Sequence, residues 1–271
     1  MIPSKSISAL DRLALFGFGI FETLLVQETG PLFLDLHWDR MCQGAKLLNL
    51  KLPKKDEWIE SLREFLRQTP DSTPYALRVT LSGGSPTINL PSQLFFNVRP
   101  LPYFSEQYHT GINLHLLPNP RNEHSPLVSV KSTNYIENIL AKEDASKFGA
   151  DEGIWLNSQG YLAEGTMSNL FFINRGKLFT PSLSSGCLPG TRRQLILELA
   201  HKLDIPVEEG FYTISDLLSA AEIFMTNALM GIMPVRSVDH AAFDVSSPGS
   251  ENSVMRRLEI SFKELIASET L

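Results

Sequence analysis

The sequence predicts a mixed α+β or α/β fold with two domains, and three features of its 271 residues carry this prediction. The first half contains strand patterns with two helical patterns, and the second half contains hairpins and further helices. Between them lies PNPRNEHSP, with three prolines in nine residues, a composition typical of a linker. We therefore predict a small N-terminal α/β domain over 1–117, a linker over 118–126 and a larger domain over 127–271.

In the first half, short apolar runs bounded by turn residues predict strands, and apolar residues spaced three to four apart predict helices. The predicted strands cover 20–26, 32–34, 75–81, 93–98 and 112–117. The predicted helices cover 37–50 and 55–67. The second helix would bury Trp58, Leu62 and Phe65.

In the second half, a strand or loop leads to Lys131, and a helix follows to Phe148, where Gly149 ends it. Turn residues predict hairpins at 157–160 and 174–176. Further patterns predict a helix at 191–203 and short strands at 222–226 and 233–235. A last helix is predicted through Val254, Leu258, Phe262 and Leu265.

Composition excludes several classes of protein. The formal charge is −6 with no basic stripe, which argues against a nucleic-acid partner. An apolar run long enough to span a membrane is absent, and the N-terminus lacks the pattern of a signal peptide. Cys42 and Cys187 are far apart, without a CxxC pattern or a nearby histidine, so we predict neither a metal site nor a disulfide framework. The expected protein is soluble and cytoplasmic.

Lys131 and Glu164 are candidate functional residues. A lysine can form a Schiff base with an aldehyde and then transfer protons. Pyridoxal phosphate is the cofactor that uses such a lysine, and it also needs an acid at its ring nitrogen and a cradle for its phosphate. Taken singly, each residue also fits an ordinary role, Lys131 as a solvated side chain and Glu164 as a carboxylate at the end of a strand.

Three further segments could supply the phosphate cradle. Gly190 precedes a helix that begins at Thr191, and helix N-termini bind anions through their backbone amides. The small polar residues 226–228 end a strand, and Arg40 follows His37 by one helical turn. An ordinary helix start, an ordinary strand end and an exposed arginine are the alternative interpretations.

Taken together, these residues resemble the fold-type IV family of pyridoxal-phosphate enzymes. That family includes branched-chain and D-amino-acid aminotransferases and 4-amino-4-deoxychorismate lyases. The resemblance runs from about Phe16 to Val238, and its motifs occur in the family's order. The matching segments are FGFGIFET at 16–23, HWDR at 37–40, KSTN at 131–134, EG at 164–165, SNLF at 168–171, LPG at 188–190 and MPV at 233–235.

The resemblance implies a two-domain fold with a small N-terminal lobe and a larger C-terminal lobe that contains a barrel-like sheet. Lys131 would hold the cofactor covalently and act as the catalytic acid and base, and Glu164 would pair with the ring nitrogen. The phosphate would be held by Arg40 and by the backbone amides of Thr191, Arg192, Asn227 and Ala228. A homodimer that acts on a small molecule is also implied.

The reaction is predicted from two details. The gap from Lys131 to Asn134 is shorter than in branched-chain enzymes, and Asn227 to Met230 resembles the aminodeoxychorismate lyases. We therefore expect release of pyruvate and 4-aminobenzoate from 4-amino-4-deoxychorismate, a step of folate biosynthesis. The alternative is an aminotransferase for branched-chain L- or D-amino acids. Phe18 replaces the family's usual aspartate, and Arg192 is an additional arginine that would face substrate carboxylates or solvent.

Overall fold

The computed structural model describes residues 6–69, 73–245 and 253–269. These residues divide into two compact units. The first unit comprises those within Met1–Leu101, Val130–Tyr135 and Glu269–Leu271, and the second comprises those within Pro102–Ser129 and Ile136–Ser268. Across the described part of the chain, the helices are too short or too polar to cross a membrane.

The first unit is a four-stranded antiparallel sheet, in the order β2-β1-β3-β4, with helices packed on one face. Its elements are α1 (Arg12–Phe16), β1 (Gly19–Gln27), β2 (Gly30–Pro31), α2 (Leu34–Leu47), α3 (Lys55–Arg67), β3 (Tyr75–Ser82) and β4 (Leu94–Arg99). Leu24 and Leu77 of the sheet pack with Trp58 and Leu62 of α3 in one core, as the spacing in α3 predicts.

The segment that carries Lys131 belongs to the first unit because β1 has an open edge. Strand β2 is only two residues long and pairs with the end of β1. Along the start of β1, the Phe21 amide donates to the Lys131 carbonyl oxygen over 2.9 Å, and the Thr133 amide donates to that of Gly19 over 2.9 Å. A Cβ at Gly19 would lie 2.6 Å from the Leu81 carbonyl oxygen, so the close approach of β1 to β3 at this point requires glycine.

The second unit contains a nine-stranded mixed sheet curled into a half-barrel. Its elements are α4 (Gln107–Thr110), β5 (Ile112–Leu116), α5 (Ile136–Lys147), β6 (Glu152–Leu156), β7 (Leu162–Gly165), β8 (Asn169–Asn174), β9 (Lys177–Pro181), α6 (Thr191–Lys202), β10 (Val207–Gly210), α7 (Ile214–Leu218), β11 (Glu222–Asn227), β12 (Gly231–Val238), β13 (Ala241–Ala242) and α8 (Val254–Ser268). The strand order is β10-β9-β8-β11-β12-β5-β6-β7, and β13 pairs with β12. This fold confirms the predicted class.

The pairing of β8 with β11 positions residues of the candidate site. Asn169 lies opposite Thr226, and Phe171 lies opposite Phe224. Directly opposed residues of an antiparallel pair share a face of the sheet. The rings of Phe171 and Phe224 accordingly stack with their centres 5.0 Å apart, and Asn169 and Thr226 project from one face.

One predicted strand is wrong, and several short elements were not predicted. Residues 32–34 form no strand, because β2 ends at Pro31 and α2 begins at Leu34. The chain turns at Phe33, whose φ of 56° lies in the left-handed region. Helix α2 therefore begins and ends three residues earlier than predicted. The elements α1, α7, β10 and β13 are too short for a periodic pattern.

The compact units also differ from the predicted domains. Residues 118–126, predicted as a linker, lie within the second unit, and residues 130–135 return to the first. Arg121 is buried, and its amide donates to the Leu156 carbonyl oxygen over 2.8 Å. The prolines of this segment prevent regular secondary structure, but they do not prevent tertiary contacts.

Candidate active site

A buried carboxylate in the first unit binds two side chains of α2. Glu22 lies on the core face of β1, and His37 and Arg40 occupy adjacent turns of α2. The Nε and Nη2 atoms of Arg40 lie 2.8 and 2.6 Å from the two oxygens of Glu22, and His37 Nδ1 lies 2.6 Å from Oε2. Helical spacing of three residues places both side chains over one point of the strand.

This arrangement changes the pKa of Glu22. Burial acts to raise the pKa, but the charge of Arg40 and the hydrogen bonds from Arg40 and His37 outweigh it and lower the pKa to about 2. The structure therefore places Arg40 in a fork on Glu22, which holds its guanidinium in one orientation. That Arg40 also binds the cofactor phosphate stays a prediction.

Lys131 lies against aromatic rings on the opposite face of β1. Its Nζ atom is 4.4 Å from the centre of the Phe21 ring and 5.4 Å from that of Tyr135, and the two rings meet edge to face. The guanidinium carbon of Arg78 lies 3.6 Å from the centre of the same Phe21 ring. Two cationic side chains thus approach one aromatic ring.

In the second unit, Glu164 is held by donors from three separate segments. Its Oε1 lies 3.2 Å from Arg121 Nη2. Its Oε2 accepts from the Leu188 amide over 2.8 Å and from Asn169 Nδ2 over 3.3 Å. Asn169 Nδ2 also donates to the Leu188 carbonyl oxygen over 2.9 Å, which ties the 188–190 loop to β8.

Arg121 is a residue that the sequence-based prediction missed. Its guanidinium stacks 4.5 Å from the centre of the Trp155 ring, and its Nε donates to the Gly186 carbonyl oxygen over 3.4 Å. Cys187 is buried beside this pair, and burial together with the charge of Glu164 raises the pKa of its thiol. No sequence signal separates Arg121 from an arginine in a linker.

The 188–190 loop delivers the N-terminus of α6 to the same region. A Cβ at Gly190 would collide with Oδ1 of Asn169, so only glycine permits this approach. Helix α6 has no side-chain cap. Among the described residues, the buried hydroxyls of Thr191, at the start of α6, and Thr226, at the end of β11, have no hydrogen-bond partner.

The structure brings Arg192 next to the adjacent residues Asn227 and Ala228, and the role of all three in holding the cofactor phosphate stays a prediction. Arg192 is 1% exposed, and its Nη2 donates to the Ala228 carbonyl oxygen over 3.1 Å, so the expectation that it could face solvent is wrong. Asn227 Oδ1 accepts from the amides of Leu229 and Met230, both over 2.9 Å, which shapes the 227–230 loop.

A second missed residue, Glu152, supports the turn between β7 and β8. This buried carboxylate accepts hydrogen bonds from the amide and hydroxyl of Thr166 and from the hydroxyl of Ser168. The turn precedes Asn169, so Glu152 stabilises the backbone that presents Asn169 to Glu164.

These residues fit the cofactor that the sequence predicts. Two buried hydroxyls without partners, beside the uncapped N-terminus of a helix, form a set of donors that suits a phosphate. A fixed carboxylate at Glu164 suits a protonated ring nitrogen. Within the described residues, no group of three or more His, Cys, Asp or Glu side chains is arranged to hold a metal ion.

The fold and these clusters define an enzyme of the fold-type IV class. The family described as amino-transferase class IV matches residues 19–238, and the chain belongs to this family. Enzymes of this family use pyridoxal phosphate, which confirms the predicted cofactor.

Relatives in this family have different names. The aminodeoxychorismate lyase of Bacillus subtilis is 29% identical over 258 residues, which cover 93% of this chain and 88% of that protein. The crystal structure of the Escherichia coli branched-chain amino acid aminotransferase is similar with a TM-score of 0.87 and 27% identity, covering 98% of this chain and 91% of that one. The crystal structure of the 4-amino-4-deoxychorismate lyase of Pseudomonas aeruginosa is similar with a TM-score of 0.85 and 25% identity, covering 97% and 96%.

The substitution Glu22→Gln is expected to lower the free energy of unfolding at pH 7 by about 3–5 kcal/mol, because it removes the charge opposite the buried Arg40. Since the folded-state pKa of Glu22 is depressed to about 2, its stabilisation is complete above pH 4.5 and is lost as the pH falls to about 2. This linkage amounts to about 3 kcal/mol. Urea unfolding over a pH series measures both effects.

The matched control is Glu60→Gln, which removes an exposed carboxylate 3.1 Å from Arg67. We expect it to change stability by less than about 1 kcal/mol and to leave the acid sensitivity intact. Equal acid sensitivity in the Glu22→Gln variant and the wild type would contradict the role given to Glu22.

The substitution Thr226→Val is expected to weaken binding of pyridoxal phosphate while leaving the cofactor-free protein equally stable, or more stable by up to about 1 kcal/mol. The reason is that it removes a buried hydroxyl without a partner. Thr180→Val is the control, because the buried Thr180 hydroxyl donates to the Leu170 carbonyl oxygen over 2.8 Å. The control should lose about 1 kcal/mol of stability. Thermal unfolding measures the stability of each cofactor-free protein, and absorbance titration measures its affinity for pyridoxal phosphate. A less stable cofactor-free Thr226→Val protein would contradict the role of Thr226 in binding the phosphate.

Proposed function

We propose that this enzyme is a 4-amino-4-deoxychorismate lyase that releases pyruvate and 4-aminobenzoate, a step of folate biosynthesis. The observation that carries the proposal is the position of Lys131 and Arg78 against the same ring of Phe21. A lysine that can hold the cofactor thus lies close to a cation that can receive a substrate carboxylate.

The residues have the following proposed roles. Lys131 binds the cofactor covalently and moves a proton at its Nζ atom. Glu164 pairs with the ring nitrogen. When bound, the cofactor supplies a ring that accepts electrons from the substrate carbon beside the nitrogen. In the second unit, the hydroxyls of Thr191 and Thr226 and the backbone amides of Thr191, Arg192, Asn227 and Ala228 would hold the cofactor phosphate. For Arg40, the same role is what the family resemblance implies.

The charge near Lys131 favours a substrate with more than one carboxylate. Arg78 and Arg99 are close enough that burial and the charge of Arg99 lower the pKa of Arg78. Neither arginine has a carboxylate within ion-pair distance in the described parts of the chain. 4-Amino-4-deoxychorismate has two carboxylate-bearing arms, which these two cations could neutralise.

An aminotransferase for branched-chain L- or D-amino acids is the alternative. The same arginines would bind the carboxylate of an amino acid or of an oxo acid. The names of the similar proteins divide between the two activities. The paired cations Arg78 and Arg99 suit the two carboxylates of the lyase substrate, and the loop from Asn227 to Met230, held by the Asn227 side chain, is a second feature that favours the lyase.

The proposal is tested by incubating the protein loaded with pyridoxal phosphate with 4-amino-4-deoxychorismate. We expect pyruvate and 4-aminobenzoate in equal amounts. The substitution Lys131→Ala should abolish both products, together with the visible absorption band of the lysine-bound cofactor, because no other group replaces the amine.

A parallel assay with D- and L-amino acids and 2-oxoglutarate distinguishes the alternative. Formation of oxo acids without pyruvate release from aminodeoxychorismate would establish the aminotransferase and exclude the lyase. A wild-type protein that stays colourless with added cofactor would exclude both activities.

We also propose that the protein is a homodimer that uses α5. Ile136, Ile139 and Leu140 lie on one side of this helix and are 66%, 46% and 58% exposed. Such an apolar stripe is typical of a subunit interface. The cytoplasmic location likewise stays a prediction from the sequence.

The substitution Leu140→Glu is expected to convert the dimer to a monomer, because it places a charge in the apolar stripe. Leu47→Glu, at an exposed leucine of α2 outside this stripe, is the control and should stay dimeric. Analytical ultracentrifugation measures the mass of each protein. A monomeric wild type would contradict the dimer, and a dimeric Leu140→Glu variant would contradict the use of α5.

A further inference from the structure

Arg121 and Glu164 form a buried ion pair. The proposed function gives Glu164 a role at the cofactor's ring nitrogen but gives Arg121 none. Their side chains are 7% and 6% exposed. Arg121 contacts Glu164 Oε1, whereas the Leu188 amide and Asn169 contact Oε2. Each oxygen of the carboxylate is therefore bound from a different direction, which prevents rotation of the group.

The rest of Arg121 is fixed by contacts that do not involve Glu164. Trp155 stacks on its guanidinium, Gly186 accepts from its Nε, and Glu137 Oε2 lies 3.5 Å from its Nη1. Glu137 is 64% exposed, so its contribution is screened by solvent. These contacts orient the Arg121 guanidinium before any ligand binds, so cofactor binding does not have to order this side chain.

We propose that Arg121 is a positioning residue that keeps Glu164 ionised and oriented, so that the proton shared between Glu164 and the cofactor's ring nitrogen stays on the nitrogen. This inference rests on the proposed function of Glu164. A buried carboxylate without a cation is more stable as the neutral acid. The charge of Arg121, 3.2 Å from the carboxylate, opposes that tendency.

The location of the shared proton depends on which partner Arg121 affects more. Arg121 is in direct contact with the carboxylate, and Coulomb energy falls with distance, so it favours the ionised acid more than it disfavours the protonated ring. The titratable groups around Glu164 include Cys187, whose thiol has a raised pKa and stays neutral at pH 7, and Glu137 beyond Arg121. Neither of these groups is a cation. Arg193 is a further cation near Cys187, but its Nη2 is bound to Glu209, at 2.5 Å, and to the Pro181 carbonyl oxygen.

The test uses the full chain and ¹⁵N-labelled pyridoxal phosphate. In the wild type, the ¹⁵N chemical shift should be that of a protonated ring nitrogen. In Arg121→Met, the shift should move toward that of an unprotonated ring, and the dissociation constant of the cofactor should rise by about tenfold to hundredfold. Arg121→Lys retains the charge and should restore the protonated signal. Glu137→Gln is the control and should match the wild type.

Two further measurements keep the inference separable from the proposed function. In the cofactor-free protein, the ¹³C carboxyl signal of Glu164, assigned by its loss in Glu164→Gln, should move toward the neutral acid in Arg121→Met but not in Arg121→Lys. In a Glu164→Gln background, Arg121→Met should change cofactor affinity by less than about twofold, since Arg121 acts through Glu164. The double variant contains no unpaired charge from this pair, which guards against misfolding.

The outcomes are distinct. If the wild type binds no pyridoxal phosphate, the proposed function fails, and the ¹³C measurement alone decides the role of Arg121. If the wild type binds the cofactor and Arg121→Met retains a protonated ring nitrogen, an ionised Glu164 and wild-type affinity, the inference is overturned. An equal loss of affinity with and without Glu164 would also overturn it, because Arg121 would then act on the cofactor by another route.

Discussion

The candidate site in the second unit depends on the burial of one carboxylate, that of Glu164. Removing the Glu164 charge from water is costly unless cations and hydrogen-bond donors replace the solvent. The donors come from residues 121, 169 and 188, which lie on three segments of the chain. Satisfying Glu164 therefore requires the segment before α5, strand β8 and the loop before α6 to be in place together. The same requirement explains Gly190, because any side chain there would displace Asn169.

The first unit also contains a buried carboxylate that is paired with an arginine, but different elements supply the partners. The carboxylate is that of Glu22, and its partners are one helical turn apart on α2. The alternation of side chains along β1 then separates two environments. Glu22 and Arg40 occupy the core face, and Phe21 carries Lys131 and Arg78 on the other. A rigid core thereby supports a face that exposes reactive and cationic groups.

Near α6, by contrast, polar groups are left unsatisfied. Most buried polar atoms in folded proteins have hydrogen-bond partners, and each exception requires an explanation. Thr191 and Thr226 are two such exceptions among the described residues, and both lie beside the uncapped N-terminus of α6. A phosphate would supply the missing hydrogen-bond acceptor. In the cofactor-free protein the two unsatisfied hydroxyls lower the stability of the fold, which is the pattern expected of residues that serve binding rather than folding.

The sequence alone determined the fold class, most of the long elements and the family, because these follow from local periodicity and from motifs of adjacent residues. Helix α3 has the predicted bounds, and short motifs indicate Lys131, Glu164 and the 190–192 and 226–228 segments as candidate site residues. Only the tertiary structure revealed Arg121 and Glu152, assigned Arg192 to the Ala228 carbonyl oxygen, and replaced the strand at 32–34 with a turn. The reason is physical. A buried ion pair between residues 121 and 164 leaves no periodic pattern, because its partners meet only after the sheet has formed.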